Sequence, residues 1–186
     1  MRIAVNERPA AVPEWVNIAD AFLRDRIGEG RGDRIALRTA ARTYSYGDVE
    51  GLAGGFAAAL TGLGVHREDR VVLLLTDRAE YVGALFGALK LAAVVVMVNP
   101  ELDAGRIAEI LDLASPQAVV HEARLGPVVS TAVAASMSRP GLLPVPDDGL
   151  DLAGDVPAAP THRDDPALWL FSGGTTGAPK AVVQTH

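Results

Sequence analysis

The sequence contains no cysteine. That absence excludes disulfides, thiolate metal sites and a cysteine nucleophile. No run of Lys or Arg is present, and 17 basic residues face 23 acidic ones, for a net charge of −6. Without a basic stripe to neutralise phosphates, no nucleic-acid partner is expected. Long apolar runs are also missing. The longest, Leu91 to Val98, falls far short of the roughly 20 residues that a membrane-spanning helix needs. Met1 to Pro13 mixes charges and prolines and has no apolar signal core, so a cytoplasmic location is expected. The histidines His66, His121, His162 and His186 are far apart in sequence. None forms a His-x-x-x-His or His-Glu-x-x-His pair, and no metal site is expected from them.

What is present is apolar. Hydrophobic residues make up 49 % of the 186 residues, and the mean hydropathy is +0.20, which excludes a disordered chain. The length suits one domain, or a large piece of a bigger one.

The pattern along the chain alternates. Asn17 to Arg26 reads as a short helix with Ile18, Ala21 and Phe22 on one face. Ile35–Arg38 and Thr43–Ser45 read as a hairpin. Ser45 is placed to cap the next helix, with Asp48 completing a short capping box. Val49, Leu52, Ala53, Phe56, Ala57, Leu60 and Leu63 recur at helical spacing until Gly64 stops the helix. Val71 to Leu75 is a continuous apolar run, as in a strand buried on both faces. A second helix (Tyr81, Val82, Leu85, Phe86, Leu89), a second buried strand (Val94 to Val98), a turn at Asn99-Pro100, a third helix (Ile107, Ile110, Leu111, Ala114) and a third strand (Ala118 to Val120) follow. The expected fold class is therefore α/β, a parallel sheet with crossover helices. Residues 1–140 carry this alternation, 141–166 read mostly as a connecting loop rich in Pro, Asp and Gly, and 167–186 as strand, loop and strand. Trp169 is expected in the core. Gly51, Gly54 and Gly55 are expected to permit close packing. Asp147-Asp148 and Asp164-Asp165 read as solvated charge.

The segment after Phe171 carries the chemistry. Ser172-Gly173-Gly174-Thr175-Thr176-Gly177-Ala178-Pro179-Lys180 combines glycines, hydroxyls and a terminal Lys. Glycines let successive backbone N–H groups converge on an anion. Hydroxyls donate to phosphate oxygens or help to hold Mg²⁺, and Lys supplies a mobile positive charge. At the carboxyl end of a strand this reads as a polyphosphate cradle; on composition alone it reads equally as a Gly/Thr-rich turn. It is not a Walker loop, because Pro179 and Ala181 flank Lys180 where that motif needs Gly and Ser or Thr. A strand-like run, Ala181-Val182-Val183, follows it rather than a helix.

Phe171 to Lys180, with the tail Val182 to His186, resembles the phosphate-binding signature of the adenylate-forming superfamily, Thr/Ser-Ser-Gly-Thr/Ser-Thr-Gly-x-Pro-Lys-Gly. Ser172, Gly174, Thr175, Thr176, Gly177, Pro179 and Lys180 match that pattern. Arg42-Thr43-Tyr44-Ser45-Tyr46-Gly47-Asp48-Val49 is similar to an early segment of the family, and Gly87 to Val94 followed by Val98-Asn99-Pro100 to a later one. Within the superfamily, Phe22-Leu23-Arg24, Gly28 to Asp33 and Asp165 to Leu170 look most like benzoate-type CoA ligases. The resemblance implies the N-terminal part of the large domain of such an enzyme. It implies ATP, Mg²⁺ and coenzyme A as cofactors and a small-molecule carboxylate as substrate; a homodimer stays open. It assigns Ser172, Gly173, Gly174, Thr175, Thr176, Gly177 and Lys180 to the nucleotide phosphates, Thr176 also to Mg²⁺, and His186 to the vicinity of the acyl substrate.

Three positions depart from the family pattern. Gly173 replaces Ser, Ala181 replaces Gly, and Ala92 replaces another Gly. The first two bear on ATP affinity. The resemblance covers only about the first third of a ligase. The family's later Glu for Mg²⁺, its ribose-binding Asp and its C-terminal domain with the catalytic Lys do not appear. The chain is thus expected to be a piece of an AMP-forming carboxylic acid–CoA ligase, with no catalytic residue of its own and no turnover. Two alternatives remain: a non-catalytic remnant or interaction module with a degenerate loop, and an enzyme that loads a carrier protein.

Overall fold

The computed structural model describes residues 12–152, 154–172 and 180–186, with Ser172 described by its backbone. Its centre is a six-stranded sheet in the order β6-β5-β3-β4-β7-β8. The strands are β3 (Arg70–Leu74), β4 (Val94–Met97), β5 (Ala118–Glu122), β6 (Gly141–Val145), β7 (Pro166–Ser172) and β8 (Lys180–Thr185). The first five run parallel. β8 pairs antiparallel with β7, so the wholly parallel sheet expected from the sequence gains an antiparallel edge. A separate hairpin, β1 (Ile35–Arg38) with β2 (Thr43–Ser45), matches the sequence expectation.

Four helices cover the sheet: α1 (Tyr46–Gly62), α2 (Ala79–Lys90), α3 (Ala104–Ala114) and α4 (Gly126–Ala135). α1 starts where the sequence indicates. The Ser45 hydroxyl accepts from the Asp48 N–H at 3.1 Å, and the Asp48 carboxylate accepts from the Ser45 N–H at 2.7 Å. Two otherwise orphaned backbone donors are satisfied in this way. The helix ends before Gly64, whose φ of +77° suits the residue without a Cβ. An earlier helical segment, residues 18–31, has π-helical turns at Asp20–Arg24 and Ile27–Arg31 and runs five residues past the helix expected there.

α1 and α2 lie on one face of the sheet, over Val71, Leu73, Val95, Val120 and Val145. α3 and α4 lie on the other, over Val72, Leu74, Val96 and Val119. Burial on both faces explains the uninterrupted valines and leucines of β3 and β4. α1 and α2 approach closely because α2 has glycines at the contact. A Cβ on Gly87 would come within 2.9 Å of the Ala53 carbonyl oxygen, and one on Gly83 within 2.9 Å of Phe56.

Two elements went unread in the sequence. α4 has a weak apolar stripe, burying Val129 and Ala132. β6 occupies the first five residues of the stretch read mostly as loop. Further along that stretch, a strap that includes Leu152 and Gly154 lies against α1. Gly54 and Gly55 give it room: a Cβ on Gly54 would overlap the Gly154 carbonyl, and one on Gly55 would meet Leu152. Gly51 has nothing near it, so close packing explains two of those three glycines. Trp169 is half-buried and packs against the α3/α4 core. Asp147, Asp148 and Asp164 are exposed, as expected, while Asp165 accepts from the His162 N–H at 2.9 Å.

Candidate functional site

The strand order sets where a ligand can sit. From β3 the chain crosses by α2 to β4 on one side. From β4 it crosses by α3, on the opposite face, to β5 on the other side of β3. Connections diverging in this way open a crevice between β3 and β4 at their carboxyl ends, the switch point where open α/β sheets bind ligands. β7 lies directly beside β4, so the carboxyl end of β7 is one strand away from that crevice.

Ser172 ends β7 and Lys180 begins β8, and the two are paired across the ladder. Seven residues separate them in the sequence. Lys180 is exposed. Gly173, Gly174, Thr175, Thr176 and Gly177 lie outside the described residues, as does the Ser172 side chain. Ala181, one of the departures from the family pattern, stands opposite Phe171 in the ladder.

The neighbouring strand ends carry a polar network not singled out in the sequence. Glu122, at the end of β5, is buried. It accepts from the Thr76 N–H at 2.8 Å and from the Thr76 hydroxyl, and Arg124 pairs with its other oxygen. Burial alone would raise the Glu122 carboxyl, but these hydrogen bonds outweigh it and hold it below the usual carboxylate range. Arg78, after β3, pairs with Glu80 at 2.8 Å and donates to the Pro146 carbonyl at 2.8 Å. The Glu80 hydrogen bond raises Arg78; Glu80 itself is lowered, its burial being outweighed by that same bond. The network ties the ends of β3, β5 and β6 together beside an open groove of about 570 Å³ that Tyr44 and Asp77 also line. Its donors and acceptors are engaged with one another, so it shapes the edge rather than offering ligand groups.

His186 is placed elsewhere. It follows β8 at the end away from Lys180, where Thr185 pairs with Pro166. Its N–H donates to the Asp165 carbonyl at 3.2 Å, and its Nδ1 accepts from the Ile18 N–H at 3.2 Å. The extended strand between them puts it on the order of 20 Å from Lys180, at the amino end of the parallel strands. β8 therefore separates His186 from Lys180 along its whole length. Burial lowers its pKa, Asp165 opposing and Arg67 reinforcing. Among the described residues, no group of three or more His, Asp or Glu side chains could hold a metal, and no helix is long and apolar enough to cross a membrane.

A second unread feature lies behind the site. Lys90, 1 % exposed, donates to Glu50 at 2.6 Å and to the Val156 carbonyl at 3.0 Å. The Asn17 amide bridges the carbonyls of Leu89 and Ala159 at 2.8 and 2.9 Å, and the Thr161 hydroxyl donates to the Val16 carbonyl at 2.6 Å. These buried polar anchors fasten the strap that leads into β7. The visible signal was a lone Lys in the otherwise apolar stretch from Leu85 to Val98.

A model of the AMP-binding enzyme family matches residues 24–186. The chain belongs to the AMP-binding enzyme family. Among curated relatives of this AMP-binding chain, a 4-hydroxybenzoate–CoA/benzoate–CoA ligase of Rhodopseudomonas palustris is 32 % identical over 181 residues, covering 91 % of this chain and 33 % of that protein. A long-chain-fatty-acid–CoA ligase of Mycobacterium tuberculosis, FadD13, is 35 % identical over 149 residues, covering 76 % of this chain and 29 % of that one. The crystal structure of the anthranilate CoA ligase AuaEII in complex with anthranoyl-AMP superposes with a TM-score of 0.84 at 25 % identity, covering 94 % of this chain and 35 % of that one. The family and the α/β fold thus agree with the resemblance read from the sequence. The chain spans about a third of the length of the curated relatives it matches.

Proposed function

We propose that this chain is the nucleotide-phosphate-binding part of an AMP-forming carboxylic acid–CoA ligase acting on an aryl carboxylate. The observation that carries the reading is where the two described ends of the Ser172–Lys180 segment lie. β7 ends at Ser172 and β8 begins at Lys180, the two paired at the carboxyl end of β7 beside β4 and its β3/β4 switch point, and a Gly/Thr run joins them in the sequence of a chain of the AMP-binding enzyme family. The donor set fits the phosphates of ATP: backbone N–H groups freed by Gly173, Gly174 and Gly177, hydroxyls of Ser172, Thr175 and Thr176, and the exposed Lys180 ammonium. Lys180 holds the β- and γ-phosphates, so that pyrophosphate departs from a fixed place as the carboxylate attacks the α-phosphate. Mg²⁺, held through the phosphates and the Thr176 hydroxyl, would neutralise charge on those oxygens. Coenzyme A has no group assigned to it here.

The preference for an aryl over a fatty acid rests on the local likeness to benzoate-type ligases and on the benzoate–CoA relative. In this reading the 186 residues bind MgATP without turning it over. The test is calorimetric titration of the chain with MgATP, in parallel with benzoate-dependent exchange of pyrophosphate into ATP. Binding that falls about tenfold or more in Lys180→Ala, as loss of a charge-assisted contact requires, supports the reading. Absence of binding by the unaltered chain sinks it, and benzoate-dependent exchange overturns the inactivity.

The departures at Gly173 and Ala181 favour the second reading, a non-catalytic interaction module. Ala181 stands within the ladder opposite Phe171, which supports its being tolerated by the hairpin.

A further inference from the structure

Burial specifies β8 poorly. Five of its six residues are exposed, and Val182 and Val183 leave 57 % and 52 % of their surface in solvent. Strand register is strongly set only where one face is buried, so a one-residue slip of β8 against β7 would expose little new surface. It would, however, move Lys180 from its place opposite Ser172. Two features oppose a slip, both at the far end of the hairpin. β7 carries an extra residue, Ala167, between the Pro166–Thr185 and Leu168–Gln184 pairs, a bulge that interrupts the ladder. Beside it, His186 donates its N–H to the Asp165 carbonyl and takes a hydrogen bond from the Ile18 N–H on its Nδ1.

A ring nitrogen that accepts cannot carry a proton, so this contact requires the neutral imidazole with its hydrogen on Nε2. Ile18 lies at the start of the N-terminal helical segment, whose dipole also disfavours a cation. The charged groups acting on the ring are Arg67, from the turn before β3, and Asp165, from the turn before β7, which face each other at 3.4 Å.

We infer that His186 is a positioning residue for Lys180: its neutral ring pins β8 to the N-terminal helical segment and holds the register that sets Lys180 opposite Ser172. The consequence for nucleotide rests on the phosphate-binding reading of residues 172–180; the pin itself does not.

The test uses the full chain and three readouts across pH: the His186 ring by NMR, the hydrogen-exchange protection factor of the Ile18 amide, and MgATP affinity. The ring is expected to titrate below the ordinary histidine value of about 6.5. Ile18 protection and MgATP affinity are expected to fall together by roughly tenfold as it does, about what one hydrogen bond contributes. His186→Gln, whose amide oxygen accepts without titrating, is expected to flatten both pH profiles. His186→Phe is expected to lower both at every pH and to weaken the cross-strand contact between Leu170 and Val182. The inference is overturned if Ile18 protection in His186→Phe equals that of the unaltered chain. It is also overturned if Gln and Phe reduce affinity alike at all pH values, as general destabilisation would. If the unaltered chain binds no nucleotide while Ile18 protection and the register still follow the ring, the pin stands and the phosphate reading falls.

Discussion

β3 and β8 are short strands that each contain a Val-Val pair, and the structure treats them in opposite ways. In β3, Val71 and Val72 are fully buried, one facing each helix layer. In β8, Val182 and Val183 are more than half exposed, and the strand has one neighbour among the described residues. Local β-propensity is similar for the two pairs, so propensity does not explain the difference. β3 is locked by two strands and two helix layers. β8 is held by one ladder, a bulge and the ring of His186. The stable centre is thus over-determined, while Lys180, the described end of the proposed phosphate segment, sits on a weakly determined strand.

Several substitutions would break or sharpen that contrast. The largest effect is expected at Phe56, fully buried between α1, α2 and the sheet. Phe56→Ala should cost about 4 kcal/mol in denaturant unfolding, the usual range for an aromatic deleted from a core; a cost under 1 would mean that the centre is not as tightly determined as its burial indicates. Next comes Lys90→Met, which leaves Glu50 with only its longer contact to Arg24 at 3.6 Å. It should cost about 3 kcal/mol, and Lys90→Met with Glu50→Gln should recover most of it.

The contrast itself is measured by one substitution made twice. Val72→Thr places a hydroxyl between packed layers and should cost about 2 kcal/mol. Val183→Thr should stay within about 0.5 kcal/mol. Equal effects would show that β8 is as buried in solution as β3.

Between these extremes lies Ser45→Ala, a purely local loss of a helix cap, expected at about 1 kcal/mol. The hydrogen bonds from Ser45 hold the Asp48 carboxyl below its ordinary value. Its contribution is therefore present above the unfolded value of about 3.9 and is lost as pH falls through the folded one. Most of that shift comes from the backbone N–H of residue 45, which Ser45→Ala keeps, so the substitution should make that acid limb shallower without removing it, readable by unfolding at a series of pH values.

Much of the fold could be read from local signals. The Ser45 cap, the Gly64 stop and the β1–β2 hairpin are contacts within a few residues. The apolar runs of β3 and β4 announce burial on both faces by composition alone. α4 escaped because its stripe of small residues is nearly uniform, and β6 because Pro140, Pro144 and Pro146 make it read as loop. β6 is tolerated as an edge strand, where proline costs fewest ladder bonds. At the candidate site, the loop and its Lys180 were legible as a run of residues suited to phosphate. The Thr76–Glu122–Arg124 cluster and the Asn17–Lys90–Thr161 anchors were not, because their members lie tens of residues apart.

The sequence by itself determined the α/β class, the order of most elements and the family the chain belongs to, because these depend on periodicity, caps and motifs over short windows. Only the tertiary structure decided that β7 lies beside β4 at the switch point, that β8 turns back antiparallel, and that His186 stands far from Lys180 against Ile18. Those facts depend on which strands neighbour one another, and strand order is set by helices choosing opposite faces of the sheet, a long-range outcome that no local pattern records.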